Sequence, residues 1–208
     1  MKKGRFLSLE GVEGVGKTTN LSFIAQYLDR AGKTVVTTRE PGGTAIAEQI
    51  RALLLDHHDE ELSNESELLL MFAARAQHIK HVIEPALEAG QWVLCDRFTD
   101  ASYAYQGGGR QFNMSDIGWL EKFVQKGLTP DTTILLDLDV ELGLKRAASR
   151  SVPDRFESEK KVFFENVRDV YLKRAKAEPN RFCLVDASQP LEQVQRSIAS
   201  YLDKLLNE

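Results

Sequence analysis

Short apolar runs alternate along the chain with longer stretches in which apolar residues recur every three or four positions. The short runs at 5–10, 34–38, 92–95, 132–137 and 182–185 predict five strands. The third, Trp92-Val93-Leu94-Cys95, is apolar at every position and reads as a strand buried on both faces. The longer stretches predict helices over 17–31, 45–55, 140–150, 160–177 and 191–206. Gly32 is the natural stop of the first. The stretch 63–89 predicts a long helix or a bent pair. It opens on acidic residues, as suits a helix N-terminus, and Pro85 kinks its last turns. Strands alternating with helices predict an α/β fold with a central parallel sheet of five strands covered on both faces. Two segments break the pattern. Gln106-Gly107-Gly108-Gly109-Arg110 reads as a glycine-rich surface joint between helices. Residues 149–159 are polar, contain Pro153, and read as a second loop able to move.

A length of 208 residues fits one compact domain spanning 1–208, and no repeat, low-complexity segment or linker divides it. Lys and Arg number 27 against 31 Asp and Glu, a net charge of −4, which argues against a general nucleic-acid binder. Cys95 and Cys183 sit in apolar runs and read as buried reduced thiols. The apolar stretch after the basic start is too short for a secretory signal, and no run approaches a membrane span. The expected location is the cytoplasm, with no membrane partner.

Candidate chemistry is concentrated after the first strand. Gly11-Val12-Glu13-Gly14-Val15-Gly16-Lys17-Thr18 matches G-x-x-x-x-G-K-[ST], between a predicted strand and a predicted helix. The glycines let backbone N–H groups point inward around phosphate oxygens. The helix N-terminus adds its positive dipole end. Lys17 supplies a point charge to the β- and γ-phosphates, and the Thr18 hydroxyl suits a Mg²⁺ ion. ATP or GTP with Mg²⁺ is therefore the expected ligand.

Three classes share that motif: a switch GTPase, a partition or transport ATPase, and a small-molecule kinase. The chain has no Asn-Lys dipeptide for a guanine-reading N-K-x-D, and its one D-x-x-G, Asp29-Arg30-Ala31-Gly32, ends the first helix, away from any γ-phosphate. Its acidic balance and compactness speak against a DNA-bound ATPase. A kinase for a phosphorylated acceptor must hold two anions together, so it needs arginines outside the glycine loop. Candidates are Arg39, Arg51, Arg75, Arg97, Arg150 and Arg155. Ligands in open parallel sheets bind beyond the carboxyl ends of strands. Glu13, Arg39 and the pair Asp96-Arg97 follow three successive strands at that edge. Arg75 interrupts an apolar helix face and must find a polar partner, either a carboxylate or a ligand group.

Taken together, several segments resemble bacterial thymidylate kinases. They are Gly11 to Thr19, Arg39-Glu40-Pro41-Gly42-Gly43-Thr44, Phe72-Ala73-Ala74-Arg75, Asp96-Arg97-Phe98 and Tyr105-Gln106-Gly107-Gly108-Gly109-Arg110. The stretch from Leu144-Lys145-Arg146 to Asp154-Arg155-Phe156 resembles the lid of that family, placed at about 149–159. The resemblance implies a nucleoside-monophosphate-kinase-like P-loop fold with a short lid. It also implies ATP-dependent, Mg²⁺-dependent phosphorylation of dTMP in a homodimer. ATP would lie on Gly11, Val12, Glu13, Gly14, Val15, Gly16, Lys17, Thr18 and Thr19. Lys17, Arg97, Arg150 and Glu13 would be catalytic. Glu13 would approach the 3′-hydroxyl region of dTMP, and Arg97 its phosphate, with Arg39 and Arg51 in support. Arg75 would read a thymine carbonyl, with Ser102 and Gln106 on the base edge and Tyr105 where a ribose 2′-hydroxyl would sit. Asp96 would order Mg²⁺ through water, beside Thr18. The glycine loop holds Gly14 rather than an arginine after Glu13, so the catalytic arginine would come from the lid as Arg150. The family places an aromatic residue where this chain has Met71, and Phe72 follows it. Either Met71 packs on the base or the helix turns Phe72 onto it.

Overall fold

The computed structural model describes residues 4–148 and 154–207. Five parallel strands form one sheet among the described residues: β1 (Phe6–Glu10), β2 (Val35–Arg39), β3 (Trp92–Asp96), β4 (Thr132–Asp137) and β5 (Phe182–Asp186). Their spatial order is β2-β3-β1-β4-β5, so chain order reverses beside β1. Such a reversal opens a crevice at the carboxyl edge of the sheet, where ligands of this architecture bind. β1, β3 and β4 are buried along nearly their whole length, because helices cover both faces.

The helices are α1 (Lys17–Arg30), α2 (Ala45–Leu55), α3 (Asn64–His78), α4 (Glu84–Glu88), α5 (Thr99–Ser102), α6 (Met114–Gln125), α7 (Val140–Ala148), α8 (Lys161–Ala177) and α9 (Leu191–Asn207). α1 packs against α9, and α2 against α3. One large apolar core joins β1, β4 and β5 to α1, α8 and α9. A second, smaller one lies between β1, β3 and the helices before β3.

The stretch from 64 to 88 stays helical throughout. Its distortion is a π-helical turn at Ile79–Ile83, ahead of Pro85 rather than at it. Widening the turn to i→i+5 bonding accommodates the proline's missing N–H without breaking the chain direction. Pro85 then stands in the first turn of α4, directly after the widened turn.

The glycine-rich segment 106–110 is not a surface joint. Tyr103–Gly109 is a π-helical continuation of α5, with Tyr105, Gln106 and Gly107 buried. It packs closely against α8. A Cβ on Gly108 would stand 2.7 Å from the Asn166 carbonyl oxygen, and one on Gly109 would stand 2.3 Å from the Phe163 ring. These glycines provide space between helices, a use that a turn-forming composition does not signal. The second expected loop lies partly outside the described residues. From 154 onward it is turn-like, with the Asp154 carboxylate accepting from the backbone N–H groups of Phe156 and Glu157. Cys95 and Cys183 are both free thiols; Cys95 is fully buried and Cys183 partly so.

Candidate functional site

The loop after β1 takes a conformation open to glycine. Gly14 and Gly16 have φ of 73° and 87°, and Gly16 sits directly ahead of α1. Lys17 opens α1, and its Nζ donates to the carbonyls of Gly11 (3.1 Å) and Val12 (3.0 Å). Burial, and next the neighbouring Arg97 charge, pull its pKa down to about 8.

Beside this loop opens a cavity of about 250 Å³. Its walls include Glu13, Gly14, Gly16, Lys17, Thr18, Arg39, Arg51, Met71, Arg75, Asp96, Arg97, Ser102, Tyr105 and Gln106. Nearly every residue expected at the acceptor site therefore faces one space. Phe72 is the exception. It is buried with Leu68 and Ile117, its ring lies 4.6 Å from the Arg75 guanidinium carbon, and Met71 takes the wall. One helical step of about 100° separates the two directions. Phe72 supports the arginine from behind instead of meeting a ligand. Arg150 lies outside the described residues.

At the far end of the cavity Arg75 is held on three sides. Its Nε donates to Glu40 at 2.7 Å, and one terminal nitrogen donates to the Phe98 carbonyl (3.2 Å) and the Ser102 hydroxyl (3.0 Å). Phe72 and Phe98 lie against its planar face. Its other terminal nitrogen, Nη1, is buried with no hydrogen-bond partner among the described residues. The carboxylate reading of an arginine on an apolar face therefore holds, and one buried donor remains without a partner among the described residues. Glu40 also accepts from His78 Nδ1 at 2.9 Å, and His78 Nε2 pairs with Thr38 at 2.7 Å.

Between the two ends Glu13 is gripped by Arg97 (2.9 Å) and by the Tyr105 hydroxyl (2.8 and 2.9 Å). The Arg97 guanidinium lies over the Tyr105 ring, 4.6 Å from its centroid. Arg51 donates to the Pro41 carbonyl at 2.8 Å, and Arg39 to Glu48 at 2.8 Å. Asp96 Oδ1 is buried without a hydrogen-bond partner among the described residues. Thr18 lines the same cavity. An orphaned carboxylate oxygen with a hydroxyl on a phosphate loop fits a hydrated divalent cation delivered with a nucleotide.

The structure adds residues that sequence reasoning passed over. Glu10 ends β1 fully buried; burial, and next the Asp100 charge, push its carboxyl up to about 8. An acid closing an otherwise apolar strand was a visible signal. Glu67, fully buried in the first turn of α3, collects donors from Gln106, Arg110 and Arg155. Arg155 also donates to the Leu54 carbonyl at 2.8 Å, so this arginine candidate ties the segment that begins at Asp154 to the end of α2. Asp154, Phe156 and Glu157 face the cavity. Pairings such as Glu67–Arg155 span too much sequence to be read from local pattern.

A reversing parallel sheet, a glycine loop at the head of α1 and a joined acceptor cavity define a P-loop nucleotide kinase. Known proteins narrow this class. The thymidylate kinase family profile matches residues 9–198. A thymidylate kinase of Pseudomonas savastanoi pv. phaseolicola is 57% identical over 203 residues, covering 98% of this chain and 97% of that protein. One from Teredinibacter turnerae is 54% identical, covering 98% and 99%. The crystal structure of thymidylate kinase from Ehrlichia chaffeensis aligns with a TM-score of 0.78 and 32% identity over 97% of this chain and 99% of that one. The chain belongs to the thymidylate kinase family.

Proposed function

We propose that the protein transfers the γ-phosphoryl group of ATP to dTMP, giving ADP and dTDP. The carrying observation is the single cavity that runs from the glycine loop to the unpartnered Nη1 of Arg75. One end suits phosphates and the other a neutral base that offers a carbonyl oxygen. Arg75 reads thymine, with Met71 on its face and Ser102 and Gln106 at its edge. Tyr105, held by Glu13, fills the place where a ribose hydroxyl would stand. A phosphate oxygen of dTMP attacks the γ-phosphorus as the bond to the β–γ bridging oxygen breaks. Lys17 and Arg97 neutralise the two phosphate groups as they approach, and Arg39 and Arg51 lend charge at the rim. Thr18 and, through water, Asp96 would hold Mg²⁺, which when bound neutralises charge between the β- and γ-phosphates.

The whole chain forms one kinase domain, and the lid at about 149–159 brings Arg150 over the phosphates on closure, excluding water as it does so. A homodimer belongs to the same reading. Trp119 and Phe123 stack 5.4 Å apart on the outer face of α6, 63% and 67% exposed, and Leu69 is exposed on the packed neighbour α3. A cytoplasmic setting agrees with two free thiols. Among the described residues no helix is long and apolar enough to cross a membrane.

The test is ADP release with ATP, Mg²⁺ and a panel of dTMP, its ribose analogue, dUMP, dCMP, dGMP and thymidine. The expected outcome is strong turnover with dTMP and none with thymidine. Preference for another monophosphate would overturn the base assignments, and no acceptor-dependent turnover would overturn the kinase. In the same assay Arg150→Ala lowers kcat about a hundredfold with little change in dTMP binding. Weakened binding at an unchanged kcat would remove Arg150 from catalysis.

A further inference from the structure

Arg97 stands at the tip of β3 with φ of 67°, a left-handed conformation that costs a non-glycine residue energy unless its surroundings hold it. Every backbone group around it is tied down. Its N–H donates to the Leu9 carbonyl at 3.0 Å, and its carbonyl accepts from the Cys95 thiol at 2.9 Å. The next N–H, that of Phe98, donates to Glu10 Oε1 at 2.7 Å. The second oxygen of the same carboxylate, Oε2, accepts from the Tyr171 hydroxyl at 2.6 Å. That hydroxyl in turn accepts from Arg97 Nη1 at 3.5 Å. Glu10 thus grips Arg97 twice, through the main chain that follows it and through Tyr171 against its guanidinium. Glu10 and Tyr171 are 0% and 1% exposed, and neither belongs to the cavity wall.

We infer that Glu10 and Tyr171 are positioning residues for the phosphate-binding Arg97, fixing where its guanidinium meets the two nucleotides. The inference rests on the reading of Arg97 given above. Tyr171 sits on α8, whose side chains Phe163 and Tyr171 also pack edge-on against Tyr105. One helix therefore backs both groups that grip Glu13, while the carboxylate reaches Arg97 from the strand beneath. A guanidinium held only by Glu13 would swing with that side chain when a nucleotide draws on either partner. The Tyr171 hydroxyl, itself held by Glu10, meets the other terminal nitrogen from outside the cavity wall.

The test is a double-mutant cycle on purified full-length protein. Tyr171→Phe keeps the ring and removes the hydroxyl. It is expected to lower kcat about ten- to a hundredfold, with KM for ATP within about twofold. In an Arg97→Ala background the same change is expected to add nothing, because the residue it positions is gone. Glu10→Gln, which keeps the shape, is expected to follow the same non-additive pattern. Thermal melting of each variant sets the folded fraction, and a purely structural role would move the melting temperature while leaving kcat per folded molecule intact. If Arg97→Ala is slow and Tyr171→Phe slows it further by its full single-variant factor, the positioning role falls and the reading of Arg97 stands. If Arg97→Ala turns over dTMP normally, the reading of Arg97 falls and the positioning role with it.

Discussion

Two glycine-rich segments lie within one chain and use the residue for opposite reasons. Between 11 and 16 the glycines supply backbone conformation: Gly14 and Gly16 have positive φ, which a loop needs if its N–H groups are to point inward around an anion. Between 107 and 109 the backbone is helical and the glycines supply space: Gly108 and Gly109 let α8 approach until its carbonyl and ring atoms stand where side chains would be, and Gly107 makes room for Met114 of α6. The first segment lines the cavity proposed for the nucleotides. The second sets the distance between helices that carry Tyr105 and Tyr171. Composition treats the two alike, so only the pattern around each distinguishes them.

Alanine substitutions separate the two uses. Gly14→Ala forces a side chain onto a left-handed residue and places its Cβ 1.9 Å from the Gly143 carbonyl oxygen in α7. Strain and collision act on the loop itself, so ATP affinity is expected to fall at least about tenfold by titration calorimetry. Unchanged affinity would mean that the loop's shape does not depend on that glycine. Gly108→Ala has no φ penalty, yet its Cβ meets the Asn166 carbonyl at 2.7 Å. Overpacking of this kind costs about 1–3 kcal/mol, which for a chain of this size lowers Tm by roughly 2–12 °C. ATP affinity is expected to hold. Lost affinity at an unchanged Tm would erase the distinction between the two segments.

The same contrast explains how much was legible in the sequence. All five strands and the helix after the glycine loop follow from local periodicity, to within a residue or so at their ends. The glycine loop was legible because its spacing sits between a strand and a helix. The helical segment 99–109 was not, because Gly108 and Gly109 answer to α8, more than fifty residues further along the chain. α6 went unread beside it. The arginines along the cavity were legible as unsatisfied charge at strand ends or on an apolar face. What holds them was not: Glu40 with His78 behind Arg75, and Glu10 with Tyr171 behind Arg97, are pairings across the fold. Phe72 shows the limit within a single helix. Its neighbour Met71 faces the cavity, and only the packing of Leu68 and Ile117 decides which of the two turns inward.

The smallest expected effect distinguishes the cations beside the two segments. Arg110 follows the second; burial opposes its charge, but Glu67 and Glu159 more than offset that, and the guanidinium stays charged across the working range. Lys17 follows the first, and burial brings its pKa from 10.5 to about 8. A bound phosphate stabilises the ammonium form and raises that pKa again, so binding takes up a proton wherever the free protein has lost one. At pH 7 the free Lys17 is already charged and uptake is small. At pH 8.5 about three-quarters of free Lys17 is neutral, and ATP binding is expected to take up more than half a proton. Calorimetry at pH 8.5 in two buffers of different ionisation enthalpy reads that uptake directly. Affinity is expected to weaken as pH rises from about 8 towards 10, while at pH 7 the two buffers give nearly the same heat. Equal heats at pH 8.5 would mean that Lys17 stays charged in the free loop, and that its contacts with the Gly11 and Val12 carbonyls offset its burial.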